Sequence, residues 1–238
     1  MEALSQESKK IERNHKTVNY SQIVGDNNIV FFAENHTNTS IREHLTNHVQ
    51  DLKNAGITHF AIEIGESANK ELDKLNRGEN VDLSEMLDPD YEKMVKALAK
   101  SGIVVFAVDV DQKETGESRE SHMFDKINDV LKAGQDHKIA FLTGTFHTVI
   151  NFNPEGVRSV RKRFVDNKVP SINVFFHGGN QDRLTTRVFG KSKFDNLIVE
   201  SGLENQEFML DFRTKSNEDE LPFDRESDWI VHLSTVEI

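Results

Sequence analysis

Two short stretches of the chain carry residue types that could do acid–base or metal chemistry. In FFAENH, an apolar run leads directly into a carboxylate and an imidazole two residues apart, Glu34 and His36. In GTFH, His147 follows Gly144 by three residues. Neutral imidazole acts as a general base or as a metal ligand near pH 7, and carboxylates do the same. These stretches therefore indicate either hydrolysis by acid–base catalysis or divalent-metal binding, and the sequence does not separate the two.

Two further apolar runs also end in carboxylates. Glu63 lies within HFAIEIG, and Asp109 and Asp111 lie within VVFAVDVD. A charge at the tip of an apolar strand is costly to desolvate unless a partner stabilises it. Each carboxylate taken alone could instead begin a loop or cap the next helix. Their coincidence at the ends of several apolar runs favours a shared polar site.

The apolar runs predict the strands of an α/β fold. They are rich in β-branched and aromatic residues and nearly continuous, which is typical of strands covered on both faces. The predicted strands are Asn28–Ala33, Thr58–Ile64, Ile103–Val110, Lys138–Thr143 and Ser171–Phe176. Two later runs, Phe208–Phe212 and Trp229–Leu233, predict a C-terminal antiparallel edge or cap.

Helical patterns separate these strands. Ser40 and Glu43 form a capping-box pattern that starts a helix continuing to the stop at Ala55–Gly56. The other predicted helices are Ser84–Lys100, interrupted at Asp88–Pro89, then Ser118–Ala133 and Pro154–Val165. Strands alternating with helices predict a central, largely parallel sheet flanked by helices. We expect a loosely ordered lead-in over residues 1–27 and one domain over 28–238, with residues from about 184 as a C-terminal extension.

Parallel strands open their carboxyl ends onto one edge of the sheet, where ligands bind in open α/β folds. His36 is predicted to be the general base or a metal ligand, with Glu34 orienting it or acting as the base itself. His147 could donate to a developing oxyanion or complete a metal site. Two further residues are candidates for substrate binding: Arg42, which could clamp an anion or pair with a carboxylate of the cluster, and Asp111, which could instead cap its loop.

The ordered set of motifs resembles the superfamily that joins the Tiki proteins, TraB, ChaN and the erythromycin esterases. That superfamily carries paired GxxH motifs at strand ends, with a glutamate on the strand between them. Here AENH, ending at His36, and GTFH, ending at His147, correspond to the two motifs, and Glu63 corresponds to the glutamate. The resemblance covers about residues 28–150. Ala33 stands where the first motif has glycine.

The resemblance implies a hydrolase that activates water against an ester, lactone or amide. It implies Glu63 as a base toward water or as a ligand, and His36, Glu63 and His147 as the ligands of any divalent ion. Asp109 completes the predicted catalytic cluster. Two alternatives follow from the same resemblance: a haem- or iron-binding protein of the ChaN type, or a domain associated with toxins and effectors.

Composition limits the remaining classes of function and of binding partner. The 238-residue chain has a formal net charge of −11 and no cysteine, which excludes thiolate metal sites, disulfides and cysteine nucleophiles within it. The acidic balance argues against nucleic acid as a partner and leaves a small molecule or peptide as the expected substrate. No apolar run reaches membrane-spanning length and the N-terminus lacks an apolar signal region, so we expect a soluble protein, cytoplasmic or exported without a visible signal peptide. The sequence contains no G-x-S-x-G motif, so a serine nucleophile is not indicated.

One other histidine pair has spacing that suits chemistry. His44 and His48 lie four residues apart on a predicted helix, a spacing compatible with zinc. The stretch between them, Leu-Thr-Asn, lacks the glutamate of an HExxH motif. Because the two histidines flank the predicted apolar stripe, packing beside the core is the favoured interpretation.

Overall fold

A computed structural model describes residues 14–111, 115–150, 156–178, 201–203, 205–211, 213 and 228–234. These residues form a seven-stranded sheet with strand order β3-β2-β4-β1-β5-β7-β6. The strands are β1 Ile29–Glu34, β2 His59–Gly65, β3 Val104–Asp109, β4 Ile139–Gly144, β5 Ser171–Gly178, β6 Phe208–Asp211 and β7 Trp229–Leu233. Every neighbouring pair is parallel except β6 with β7. The predicted α/β class and its antiparallel C-terminal edge are confirmed.

Helices cover both faces of the sheet. They are α1 Tyr20–Val24, α2 Thr39–Asn47, α3 Val49–Asn54, α4 Asn69–Asn76, α5 Pro89–Ser101, α6 Glu117–Ala133 and α7 Val160–Asp166, with short 3-10 turns at Glu66–Ala68 and Thr145–Thr148. Val30 and Phe32 pack in one apolar core with residues of α1 to α5. Ile29 and Phe31 pack in a second core with residues of α6 and α7. The alternation along β1 thus supplies both layers, because successive strand side chains point to opposite faces.

Three helix predictions need correction. The helix predicted from Ser40 begins at Thr39 and is divided at His48, where φ is −101° and ψ is 15°. The helix predicted from Ser84 begins only at Pro89, because Asp88 caps it by accepting a hydrogen bond from the Tyr91 amide. Proline suits this first helical position, where its missing N–H costs no hydrogen bond.

The third correction concerns the helix predicted from Pro154. It begins at Val160, where the Ser159 side chain caps it by accepting from the Lys162 amide. Pro154 itself lies outside the described residues, as does Phe212 at the predicted end of the sixth strand. The helix α4 was not predicted, because its run NKELDKLN carries only two apolar residues, Leu72 and Leu75.

The described part of the predicted lead-in contains α1, whose Tyr20, Ile23 and Val24 are buried in the first core. Lys16 also forms an antiparallel bridge with Met209 of β6. Among the described residues, no helix is both long and apolar enough to cross a membrane.

Candidate functional site

The strand order brings the four predicted motifs side by side. β3, β2, β4 and β1 are consecutive neighbours in the sheet, and all four are parallel. Their carboxyl ends carry Asp109, Glu63, the Gly144 motif and the Glu34 motif at one edge. We call the six charged or imidazole side chains that meet there the edge cluster: Glu34, His36, Glu63, Asp109, Arg119 and His147.

Glu34 and His36 form a carboxylate–imidazole pair. The Nδ1 of His36 lies 3.0 Å from Oε1 of Glu34. This hydrogen bond raises the pKa of His36 above its usual value of 6.5. The carboxylate is buried, whereas 58% of the His36 side chain is exposed. The hydrogen bond therefore fixes the orientation of the imidazole, and its Nε2 lies 3.9 Å from Glu63 Oε2, too far for a hydrogen bond.

Glu63 is the centre of the edge cluster. Its Oε2 accepts hydrogen bonds from the Gly144 amide at 2.7 Å and the Thr143 hydroxyl at 2.8 Å, and it lies 3.9 Å from Nε2 of His36. Burial alone would raise the pKa of Glu63, but hydrogen bonds from His147, the Gly144 amide and Thr143 lower it well below its usual range. These contacts therefore favour the ionised form of Glu63 in the native site.

Two backbone features make room for this carboxylate. The register of β2 against β3 shifts between Ile62 and Gly65, and such irregularities re-aim side chains beside functional sites. A Cβ atom on Gly144 would lie 2.9 Å from His36 Nε2 and 3.6 Å from Glu63 Oε2. Glycine at this position lets the imidazole and the carboxylate approach each other against the backbone.

Arg119 was missed by the sequence analysis and supplies the main positive charge of the cluster. Its Nε and Nη2 donate to the two oxygens of Asp109 at 2.8 and 2.6 Å, and Nη2 also donates to Glu63 Oε1 at 2.6 Å. These hydrogen bonds, first those to Asp109, raise the pKa of Arg119 further. Its Nη1 lies 3.5 Å from His147 Nε2 and has no carboxylate partner among the described residues, and 28% of the side chain is exposed.

His147 lies between two carboxylates. Its Nε2 is 3.0 Å from Glu63 Oε1 and its Nδ1 is 2.5 Å from Oε1 of Glu120, a second residue that the sequence analysis missed. Burial alone would lower the pKa of His147, but the hydrogen bonds with Glu120 and Glu63 raise it to about 9. The two carboxylates therefore favour the imidazolium form of His147, in which both ring nitrogens carry a proton.

This pKa predicts a pH dependence of stability. The folded pKa of about 9 lies above the usual 6.5, so the contribution of His147 is complete below about pH 6.5 and is lost as pH rises through about 9. We expect the free energy of unfolding to fall over this interval, and to fall less in His147→Gln. Urea unfolding at several pH values measures both slopes, and equal slopes would contradict the assignment.

A divalent ion does not fit among His36, Glu63 and His147. The ligand atoms that these three residues offer do not all lie within 4.8 Å of one another, as ligands of a shared ion would. The Arg119 guanidinium already supplies the cation at Glu63. Of the two histidines of the edge cluster, His36 is the exposed one, with 58% of its side chain exposed against 9% for His147.

The two predicted substrate-binding residues lie beside the cluster and have protein partners. Arg42 is buried, with Nε 3.5 Å from Glu34 Oε2 and Nη1 2.6 Å from Oδ2 of Asp88. Arg42 therefore pairs with carboxylates, which is one of the two roles predicted for it. Asp111 accepts hydrogen bonds from the Ser67 amide at 3.1 Å, so it fastens the loop after β2.

Comparisons with known proteins agree on the fold. No protein-family model and no curated protein matches the chain. A solved Bacillus cereus protein is similar, with TM-score 0.65 and 8% identity over 97% of this chain and 97% of that one. The type III effector HopBA1 aligns with TM-score 0.52 and 16% identity over 90% of this chain and 91% of that one. ChaN of Campylobacter jejuni, a haem-binding protein, gives TM-score 0.42 and 14% identity over 66% of this chain and 84% of that one. The first two similarities establish a distant relationship of fold alone, and the third is too low to support an argument.

Proposed function

We propose that the chain is a metal-independent hydrolase of esters, lactones or amides, with His36 as the general base. The observation that carries this proposal is the Glu34–His36 pair, in which a buried carboxylate holds an exposed imidazole whose Nε2 points away from it. Catalytic bases in acyl transfer are oriented in the same way.

The proposed reaction begins at His36 Nε2. It takes a proton from water while the water oxygen attacks the carbonyl carbon. The negative charge that develops on the carbonyl oxygen is stabilised by Arg119, whose Nη1 is not used by a carboxylate among the described contacts. Collapse of the tetrahedral intermediate breaks the bond to the alkoxide or amine, which takes the proton from His36.

The remaining residues of the edge cluster position His36 and Arg119. Glu63 lies between them, 2.6 Å from Arg119 Nη2 and 3.9 Å from His36 Nε2, and its charge also favours the protonated His36. His147 and Glu120 hold Glu63 from the other side. Phe146, between Gly144 and His147, is 71% exposed and offers an apolar contact for the acyl or leaving group.

Glu34→Gln tests the pair. Because the hydrogen bond to Glu34 raises the pKa of His36, the kcat/KM of the native protein is expected to rise with pH through an apparent pKa above 6.5. In Glu34→Gln this limb should move to lower pH, since a neutral amide stabilises the imidazolium less. The plateau should fall by about 10²-fold or more as the imidazole loses its orientation. A pH–rate profile whose apparent pKa is unchanged in the variant would refute the assignment of His36 as base.

The toxin or effector alternative is compatible with the same chemistry. The similarity to HopBA1 spans nine-tenths of both chains, but a shared fold does not carry an activity with it. The proposed reaction therefore rests on the edge cluster, and an effector that hydrolyses a small molecule or a peptide would satisfy both interpretations.

A further inference from the structure

A second cluster of histidine and carboxylate side chains shares no residue with the edge cluster. His44 and His48 lie at the junction of α2 and α3 with their ring centroids 4.4 Å apart. Glu207, which precedes β6, reaches both: its Oε2 is 2.7 Å from His44 Nδ1 and its Oε1 is 3.1 Å from His48 Nε2. Among the described residues, these three are the group of histidines and carboxylates whose possible metal-ligand atoms all lie within 4.8 Å of one another.

Each imidazole has a partner on its other nitrogen. His44 Nε2 lies 2.7 Å from the Tyr20 hydroxyl, and His48 Nδ1 lies 2.8 Å from a carboxylate oxygen of Asp51. Histidines that bind metals use their second N–H in this way, because a hydrogen bond to a carboxylate or another oxygen sets the tautomer and the ring orientation. His44 Nδ1 and His48 Nε2 face the Glu207 oxygens at hydrogen-bond distance, and an ion placed between them would displace the shared protons and take the nitrogen lone pairs.

We propose that His44 Nδ1, His48 Nε2 and one oxygen of Glu207 bind a zinc ion, with water as the fourth ligand. Two imidazoles and a carboxylate without thiolate suit zinc, which takes four ligands in tetrahedral geometry. Zinc with bonds of about 2.1 Å places its ligand atoms about 3.4 Å apart, so the contacts of Glu207 with His44 Nδ1 and His48 Nε2, now 2.7 and 3.1 Å, must lengthen by about 0.7 and 0.3 Å. Its side chain is 36% exposed and has room to move, and the same open side admits the water.

The position of the ion would give it a structural role. Glu207 leads into β6, the antiparallel edge strand, whereas His44 and His48 belong to the helical layer beside the parallel strands. Tyr20 places α1 in the same group. Zinc would link the C-terminal edge of the sheet to these helices. This structural role would be independent of the proposed hydrolysis.

Zinc titration of the untagged full chain, after treatment with EDTA and dialysis, tests the proposal. Calorimetry and elemental analysis should find one zinc per chain, and Co²⁺ in its place should show the visible bands of four-coordinate cobalt. At a hundredfold excess over Kd, the Tm should rise by about 5 °C or more, because an ion that binds only the folded state stabilises it. Failure of the native chain to bind one zinc would overturn the proposal and leave a network of histidine–carboxylate hydrogen bonds.

Four variants locate the ion. Glu207→Gln and His48→Ala should lose stoichiometric zinc. Asp51→Asn, which keeps all three ligands, should bind it about 10- to 100-fold more weakly. His36→Ala, in the edge cluster, should bind zinc as the native chain does. Loss of zinc in His36→Ala with retention in Glu207→Gln and His48→Ala would assign the ion to the edge cluster and overturn the proposal.

Discussion

His36→Ala is expected to lower kcat by about 10²- to 10⁴-fold, the usual contribution of a general base. The fold should survive, because the His36 side chain is 58% exposed and little packing is lost. The measurement is kcat and KM on an ester substrate together with Tm. Substrate binding that does not involve proton transfer should persist, so the loss should fall on kcat more than on KM.

The matched control is His59→Ala. His59 begins β2, the strand whose other end carries Glu63, and its ring packs against His137 with centroids 4.2 Å apart. It lies at the opposite end of the strand from the edge cluster and should keep native turnover. Native turnover in His36→Ala, or equal losses in the two variants, would contradict the role of His36.

Glu63→Gln is expected to lower both activity and stability. It removes the carboxylate that holds Arg119 and His147 in place, so we expect kcat/KM to fall by about 10²-fold or more. The free energy of unfolding should fall by about 2–3 kcal/mol, at the low end for a broken buried ion pair, because Asp109 still pairs with Arg119 and Glu120 with His147. Urea unfolding and steady-state kinetics on one preparation measure both losses.

Glu66→Gln is the control for this variant. Glu66 is the next acidic residue along the chain, and it pairs with Lys126 at 2.6 Å on the surface. An exposed pair of this kind contributes about 0–1 kcal/mol, so the control should be close to native in stability and activity. A Glu63→Gln variant as active and as stable as Glu66→Gln would mean that Glu63 does not organise the site.

The sequence predicts the sheet well, for a physical reason. The strands are buried on both faces, so each is a nearly continuous apolar run with a clear end, and the predicted carboxyl ends lie within two residues of the observed ones. The polar residues at these ends were found for the same reason, since a charge interrupts an apolar run. Helix starts were harder to predict, as Ser40 and Ser84 illustrate, because serine also occurs in loops and turns.

Arg119 and Glu120 were missed because they lie on a helix, where charged residues are ordinary. One signal was available. Glu120, Met123 and Ile127 occupy the same stripe of α6, and all three are buried. A glutamate on an apolar stripe requires a buried partner, here His147 and the Val160 amide. The pairing of His48 with Glu207 crosses 159 positions of sequence, and no local pattern could have predicted it.

The rate of hydrolysis by EDTA-treated protein tests the central claim most directly. It is measured on a panel of an aryl ester, a lactone and an activated amide, at a temperature where the metal-free chain is folded, with and without added zinc. We expect turnover of at least one substrate that zinc does not increase and that His36→Ala lowers by about 10²-fold or more. Turnover that appears only with zinc would contradict a metal-independent His36 mechanism, and absence of turnover on every substrate under both conditions would contradict the proposed hydrolase.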